Sequence, residues 1–142
     1  MLNGMTEVRQ ARLEDVPGIV SIDPLGSLRV AEIGLLIRTA ARLVAVSGGV
    51  ITGFLARRAR HFFGCDFVEL LFVAPAHRRK GVGRALMQRT LADAETKRVF
   101  VSTNESNEAM RALLTSDGWA FSGALVGLDE DDPEHVFFQD AP

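Results

Sequence analysis

The sequence predicts a mixed α and β fold, an α+β sheet that is mostly antiparallel but holds one parallel strand pair. Three observations carry this. Gly48-Gly49 joins two β-rich runs, which is a strong hairpin signal. A second pair of β-rich runs closes the chain. Between them lies a strand, a helix and another strand in succession, the order that makes neighbouring strands parallel.

The elements follow in order. Glu7 to Ala11 reads as an opening strand. Leu13 to Ile22 spaces Leu13, Val16, Ile19 and Val20 along one helical face. Ser27 to Ala40 repeats that pattern after Pro24 and Gly26 interrupt it. Arg42 to Ser47 and Val50 to Arg58 form the first hairpin. A turn at His61 to Gly64 leads into a strand from Asp66 to Ala74, which Pro75 ends because it has no N–H to offer the ladder. Val82 to Lys97 reads as a helix with Val82, Leu86, Met87, Leu91 and Ala94 on its apolar stripe. Arg98 to Thr103 is a strand and Asn107 to Ser116 a helix, with Gly118 at its left-handed cap before Trp119. Trp119 to Leu128 and His135 to Gln139 make the last hairpin. Alternation along the central strand places Phe67, Glu69, Leu71 and Val73 on one face and Val68, Leu70 and Phe72 on the other.

Length and composition bound the function. The 142 residues suit one domain, 1–142, large enough to bury a core without disulfides or metal. Charged residues are 24% of the chain and the net charge is −2, which disfavours a nucleic-acid binder. The single cysteine, Cys65, excludes an internal disulfide and fits a reducing, cytoplasmic setting. No apolar run is long enough for a membrane span, and the Met1 to Met5 start, where either methionine could initiate, does not read as a secretory signal. His61, His77 and His135 are dispersed, so no metal site is expected. The chain has no tyrosine.

The densest chemical signal runs from Val73 to Leu86. A strand ends, a basic turn of Arg78, Arg79 and Lys80 follows, and a helix opens with Gly81, Val82, Gly83 and Arg84. Unpaired N–H groups at a helix start, set among cationic side chains, make a cradle for phosphate or pyrophosphate. The alternative is a basic surface loop before an ordinary helix. The turn is not a Walker A loop and lacks the full dinucleotide fingerprint.

Arg78-x-x-Gly81-x-Gly83 after a strand ending in Val73-x-Pro75 resembles the acetyl-CoA signature of the GNAT N-acetyltransferase superfamily. Asn104, Asn107 and the segment Leu113 to Trp119 follow in that family's order, so the resemblance covers nearly the whole chain. It implies that acetyl-CoA is the co-substrate and that the backbone of Arg79 to Arg84 holds its pyrophosphate. The main chain of Leu71, Phe72 and Val73 would pair with the pantetheine arm where two parallel strands splay apart. Asn104 and Asn107 would sit near the thiol end, although Asn107 serves equally well as a helix cap. The resemblance also implies a small-molecule or peptide amine as acceptor, in a family where homodimers are common.

Amine acetylation needs a base, because a free amine is mostly protonated at neutral pH. Glu69 falls where some relatives carry a catalytic glutamate, and apolar neighbours on its strand would suit it to act directly or through water. The alternative is a structural ion pair with one of the arginines. The backbone N–H of Val73 could polarise the thioester carbonyl. Many relatives use a tyrosine as acid, but that position is Leu114 here, leaving the departing thiolate to water. Cys65 as a nucleophile lacks a partner. Asp129 to Glu134 reads as a hairpin turn that in such a fold would lie near the acceptor. The runner-up from another class is an acyl-CoA-binding sensor or interaction module with little catalysis.

Overall fold

The computed structural model describes residues 6–142, so the question of Met1 or Met5 lies outside the described residues. Seven strands form one sheet: β1 (Glu7–Gln10), β2 (Ala41–Ser47), β3 (Val50–Phe62), β4 (Cys65–Val73), β5 (Arg98–Asn104), β6 (Ala120–Leu125) and β7 (Glu134–Asp140). Their order across the sheet is β1-β2-β3-β4-β5-β7-β6. Every pairing is antiparallel except β4 with β5. Four helices cover the sheet: α1 (Val16–Ile22), α2 (Val30–Thr39), α3 (Val82–Ala92) and α4 (Glu108–Ser116).

Two apolar layers hold this arrangement. On one side α1 and α2 place Ile19, Ile33 and Leu36 against Val44, Phe54 and Phe72. On the other, Val82, Leu86 and Met87 of α3 and Leu114 of α4 pack on Leu55, Val68, Val99 and Val101. Burying side chains of this size stabilises by about 1.5–3 kcal/mol each. Among the described residues no helix is long and apolar enough to cross a membrane.

Several expected boundaries move, three of them for a visible reason. The first helix begins at Val16 because Leu13–Asp15 forms a 3-10 turn, with Asp15 accepting the Arg12 N–H at 2.7 Å and bracketed by Arg9 at 2.8 and 2.9 Å. The expected turn at His61 shrinks to Phe63-Gly64, since β3 runs on to Phe62 and Phe62 stacks on Phe67 with ring centroids 5.0 Å apart. The third long helix stops at Ala92 instead of Lys97. The chain beyond it is drawn to β4, where the Glu95 N–H donates to Asp66 at 2.8 Å and the Asp66 N–H donates to Thr96 at 2.9 Å.

The expected alternation along β4 is corrected by a bulge. Ala56 stands opposite Leu70 and Arg57 opposite Val68, so Glu69 is one residue too many for the ladder. The extra residue resets the two-residue period. Leu71 and Val73 therefore join Val68 on the α3 side, while Leu70 and Phe72 face α1 and α2.

Candidate active site

The parallel pairing of β4 with β5 lasts three residues, from Asp66 opposite Val99 to Val68 opposite Val101. Beyond that pair the strands separate. A crevice of about 60 Å³ opens between them, lined by Glu69, Leu71, Ser102, Thr103, Asn107 and Met110 among others. The Ala74 N–H donates to Thr52 on β3 at 2.8 Å. Antiparallel alternation then turns the main-chain groups of Phe72 toward β3 and those of Leu71 and Val73 away from it, toward the crevice. Of the three residues expected to offer main chain to a ligand, Leu71 and the N–H of Val73 are free to do so, Val73 O takes Arg78, and Phe72 is committed to the sheet.

The cradle lies at the end of β4. A 3-10 turn at Pro75–His77 leads into Arg79 at φ +62° and Gly81 at φ +80°. Gly81 precedes α3 in the left-handed region, and no side chain caps the helix. The first helical hydrogen bond runs from the Ala85 N–H to Gly81 O at 3.0 Å, leaving the N–H groups of Val82, Gly83 and Arg84 without a main-chain acceptor. Successive free N–H groups of this kind form an anion-binding concavity.

The glycines divide the work. A Cβ on Gly81 would meet open space, so its conformation is what requires glycine. A Cβ on Gly83 would stand 3.1 Å from Leu113 Cδ2, so this glycine lets α3 lie close to α4. The basic side chains divide likewise. Arg78 Nε donates to Val73 O at 3.3 Å, and Arg84 pairs with Asp117 at 2.9 Å. Arg79 and Lys80 are exposed and make no ion pair among the described residues.

Glu69 is placed differently from expectation. It lines the crevice but is not enclosed by apolar groups: its carboxylate meets Arg58 Nε at 2.9 Å and His61 at 4.0 Å. The ion pair and the crevice position coexist, because the bulge pushes the residue out of the ladder. Asn104 does not face the crevice; its amide donates to Asp129 at 2.9 Å and to Asp132 O at 3.3 Å, tying down the acidic turn. Asn107 caps α4 by accepting the Met110 N–H at 3.1 Å, and also lines the crevice. Leu114 is fully buried with Trp119 and Phe137.

Sequence reasoning missed the buried pair Arg57 and Asp66, which joins β3 to β4. Asp66, with no exposed surface, receives Arg57 and the N–H groups of Glu95 and Arg60 at 2.8 and 3.1 Å. Burial alone would raise its carboxyl, but these N–H groups and Arg57 outweigh it and hold it below the usual carboxylate range. An aspartate inside an apolar run, nine residues from an arginine on the preceding strand, was the available signal. A larger cavity of about 400 Å³ lies at the far end of α3, where its lining Arg57 and Arg89 are already matched by Asp66 and Asp93. Among the described residues no group of three His, Cys, Asp or Glu is placed to hold a metal ion.

Known proteins share this architecture. A family model described as "Acetyltransferase (GNAT) family" matches residues 7–119. A GNAT acetyltransferase from Bacillus cereus ATCC 10987 superposes with a TM-score of 0.91 at 33% identity, covering 97% of this chain and 99% of that one. The fold of yncA from Salmonella typhimurium, solved with its cofactor acetyl-CoA, matches with a TM-score of 0.76 at 21% identity, over 96% of this chain and 94% of that one. A mycothiol acetyltransferase from Clavibacter sepedonicus is 48% identical over 58 residues, 41% of this chain and 19% of that longer protein.

Proposed function

This chain belongs to the GNAT acetyltransferase family and is an acyltransferase; on that premise we propose that it moves an acetyl group from acetyl-CoA to a primary amine by direct attack in a ternary complex. The observation that carries the reading is the end of strand pairing at Val68 and Val101, which frees the main chain of Leu71 and the N–H of Val73 beside the uncapped start of α3. The donor set fits the co-substrate. Free N–H groups from Arg79 to Arg84 suit a pyrophosphate, with Arg79 and Lys80 adding charge. Leu71 and Val73 suit an extended amide arm laid against a strand edge.

Acetyl-CoA supplies an activated acyl thioester when bound. The chain's part is then to align and polarise. The Val73 N–H donates to the thioester carbonyl, stabilising charge that develops on that oxygen. Glu69, held at the crevice by Arg58, accepts the proton of the incoming ammonium directly or through water. The leaving thiolate needs no protein acid: its pKa of about 8.5 makes it a fair leaving group, and Leu114 offers no proton. Fixing donor and acceptor in one crevice supplies much of the acceleration.

Titration with acetyl-CoA, followed by a thiol-release assay over a set of amines, tests this reading. Saturable binding with amine-dependent release of CoA supports it. Binding without turnover of any amine points instead to an acyl-CoA sensor, and no binding refutes both.

A further inference from the structure

We infer that the acceptor is an amino carboxylate of free amino acid type, its carboxylate gripped by Arg29. The inference rests on the acyltransfer reading above and names the substrate class for that site. Arg29 lies in the 3-10 turn Gly26–Arg29 between α1 and α2, and its Cζ stands 5.8 Å from the centroid of the Phe72 ring. Phe72 sits between Leu71 and Val73, the two residues whose main chain opens into the crevice, and its ring points to the α1 and α2 side of the sheet. The cradle and α3 occupy the other side. A nucleophile adds to one face of the planar thioester carbonyl, and with the cofactor seated on the α3 side the open approach for the amine is from the α1 and α2 side, where Arg29 lies.

Arg29 is built into this place. Its side chain is only 15% exposed and its Nε is 3.0 Å from Asp23 Oδ2, a carboxylate with no exposed surface. The second Asp23 oxygen accepts the Leu25 N–H at 2.9 Å. Nε and Oδ2 are misaligned, so both are buried without a hydrogen-bond partner, and among the described residues no nitrogen of Arg29 donates to any acceptor. A guanidinium largely withdrawn from water, braced by a buried carboxylate and with its terminal N–H groups uncommitted, is suited to a two-point contact with a carboxylate.

Glu69 is the charged side chain that lines the crevice itself. On β4, Glu69 is matched by Arg58 with His61 nearby. In the turn between β6 and β7, Asp129 and Asp132 are tied to Asn104 and Ser106, while Glu130 and Asp131 are exposed. Arg29 for the carboxylate and Glu69 for the ammonium suit one molecule that carries both groups. Leu25 and Leu28, 50% and 88% exposed around Arg29, leave apolar surface for an aliphatic side chain.

The test compares the common L-amino acids with their amides and their decarboxylated amines, L-leucine, L-leucinamide and 3-methylbutylamine forming one matched set. Rates of CoA release are expressed per unit of unprotonated amine, since the three differ in basicity. The expected result is a preference of roughly 10- to 100-fold in kcat/KM for the carboxylate over its amide. In Asp23→Asn/Arg29→Gln, which leaves no buried charge unpaired, that ratio falls to about one. Turnover of amides or simple amines equal to that of the acids, or a double variant that keeps the preference, overturns the inference and leaves acyltransfer standing. Acetyl-CoA binding with no turnover of any amine overturns both.

Discussion

Val68 and Val101 are the last residues at which β4 and β5 stand side by side, and one residue later Glu69 bulges from the ladder. The two events are linked. The bulge increases local twist in β4 just where β5 must part from it, and β5 stays straight because β7 pairs with it along its whole length, from Arg98 to Asn104. The crevice is thus a product of register.

If Glu69 is the base at this bulge, Glu69→Gln lowers kcat by about 100-fold or more with little change in the acetyl-CoA dissociation constant. An ion-pair role alone would lower stability by up to about 1 kcal/mol and leave kcat near that of the parent. Steady-state rates together with thermal melting separate the two.

The Asp66 and Arg57 pair ties β4 to β3 at the end where β4 and β5 still run side by side. Asp66→Asn strands a buried guanidinium, and the expected loss is about 3–5 kcal/mol, measured by urea unfolding at pH 7. Because the folded carboxyl lies below the usual range, its contribution is complete above the unfolded value of about 3.9 and is lost as pH falls through the folded one. Stability of the parent therefore falls on acidification below about pH 5 more steeply than that of Asp66→Asn. Parallel acid profiles would refute the assignment.

Leu114→Tyr tests whether the missing tyrosine leaves room for itself. Leu114 is fully buried against Val99, Val101 and Trp119, so a phenol overfills the core. A destabilisation of about 1–3 kcal/mol is expected, with no gain in turnover. Calorimetric melting measures the first and CoA release the second; an unchanged melting temperature would show that the site does hold space.

How much of this was legible in the sequence depends on how local each cause is. Pro75, Gly48-Gly49 and Gly118 act on their own backbone, and the boundaries they set fall within a residue of where the sequence places them; Gly118 stands at φ +88°, with the Trp119 N–H bonded to Leu114 O at 3.0 Å. The left-handed turn at Gly81 and the uncapped start of α3 were legible for the same reason. The bulge at Glu69 was not, because it is fixed by pairing with Ala56 and Arg57 on another strand. The early end of α3 was not, because Asp66 lies about thirty residues back in the chain and captures Glu95 and Thr96 through space. Asn104 reads as a site residue by motif, yet its amide goes to a turn formed twenty-five residues later.

The most direct test of the central claim is calorimetric titration of acetyl-CoA into the parent protein and into Gly81→Val. A β-branched residue at φ +80° cannot hold the left-handed turn that aims the N–H groups of α3, while the space around the position stays open. Phe63→Ser, at an exposed hairpin tip, serves as the control. The account predicts one saturable site in the parent, unchanged in Phe63→Ser, and at least tenfold weaker in Gly81→Val with the fold retained by circular dichroism. No binding to the parent, or binding of equal strength to Gly81→Val, would contradict it.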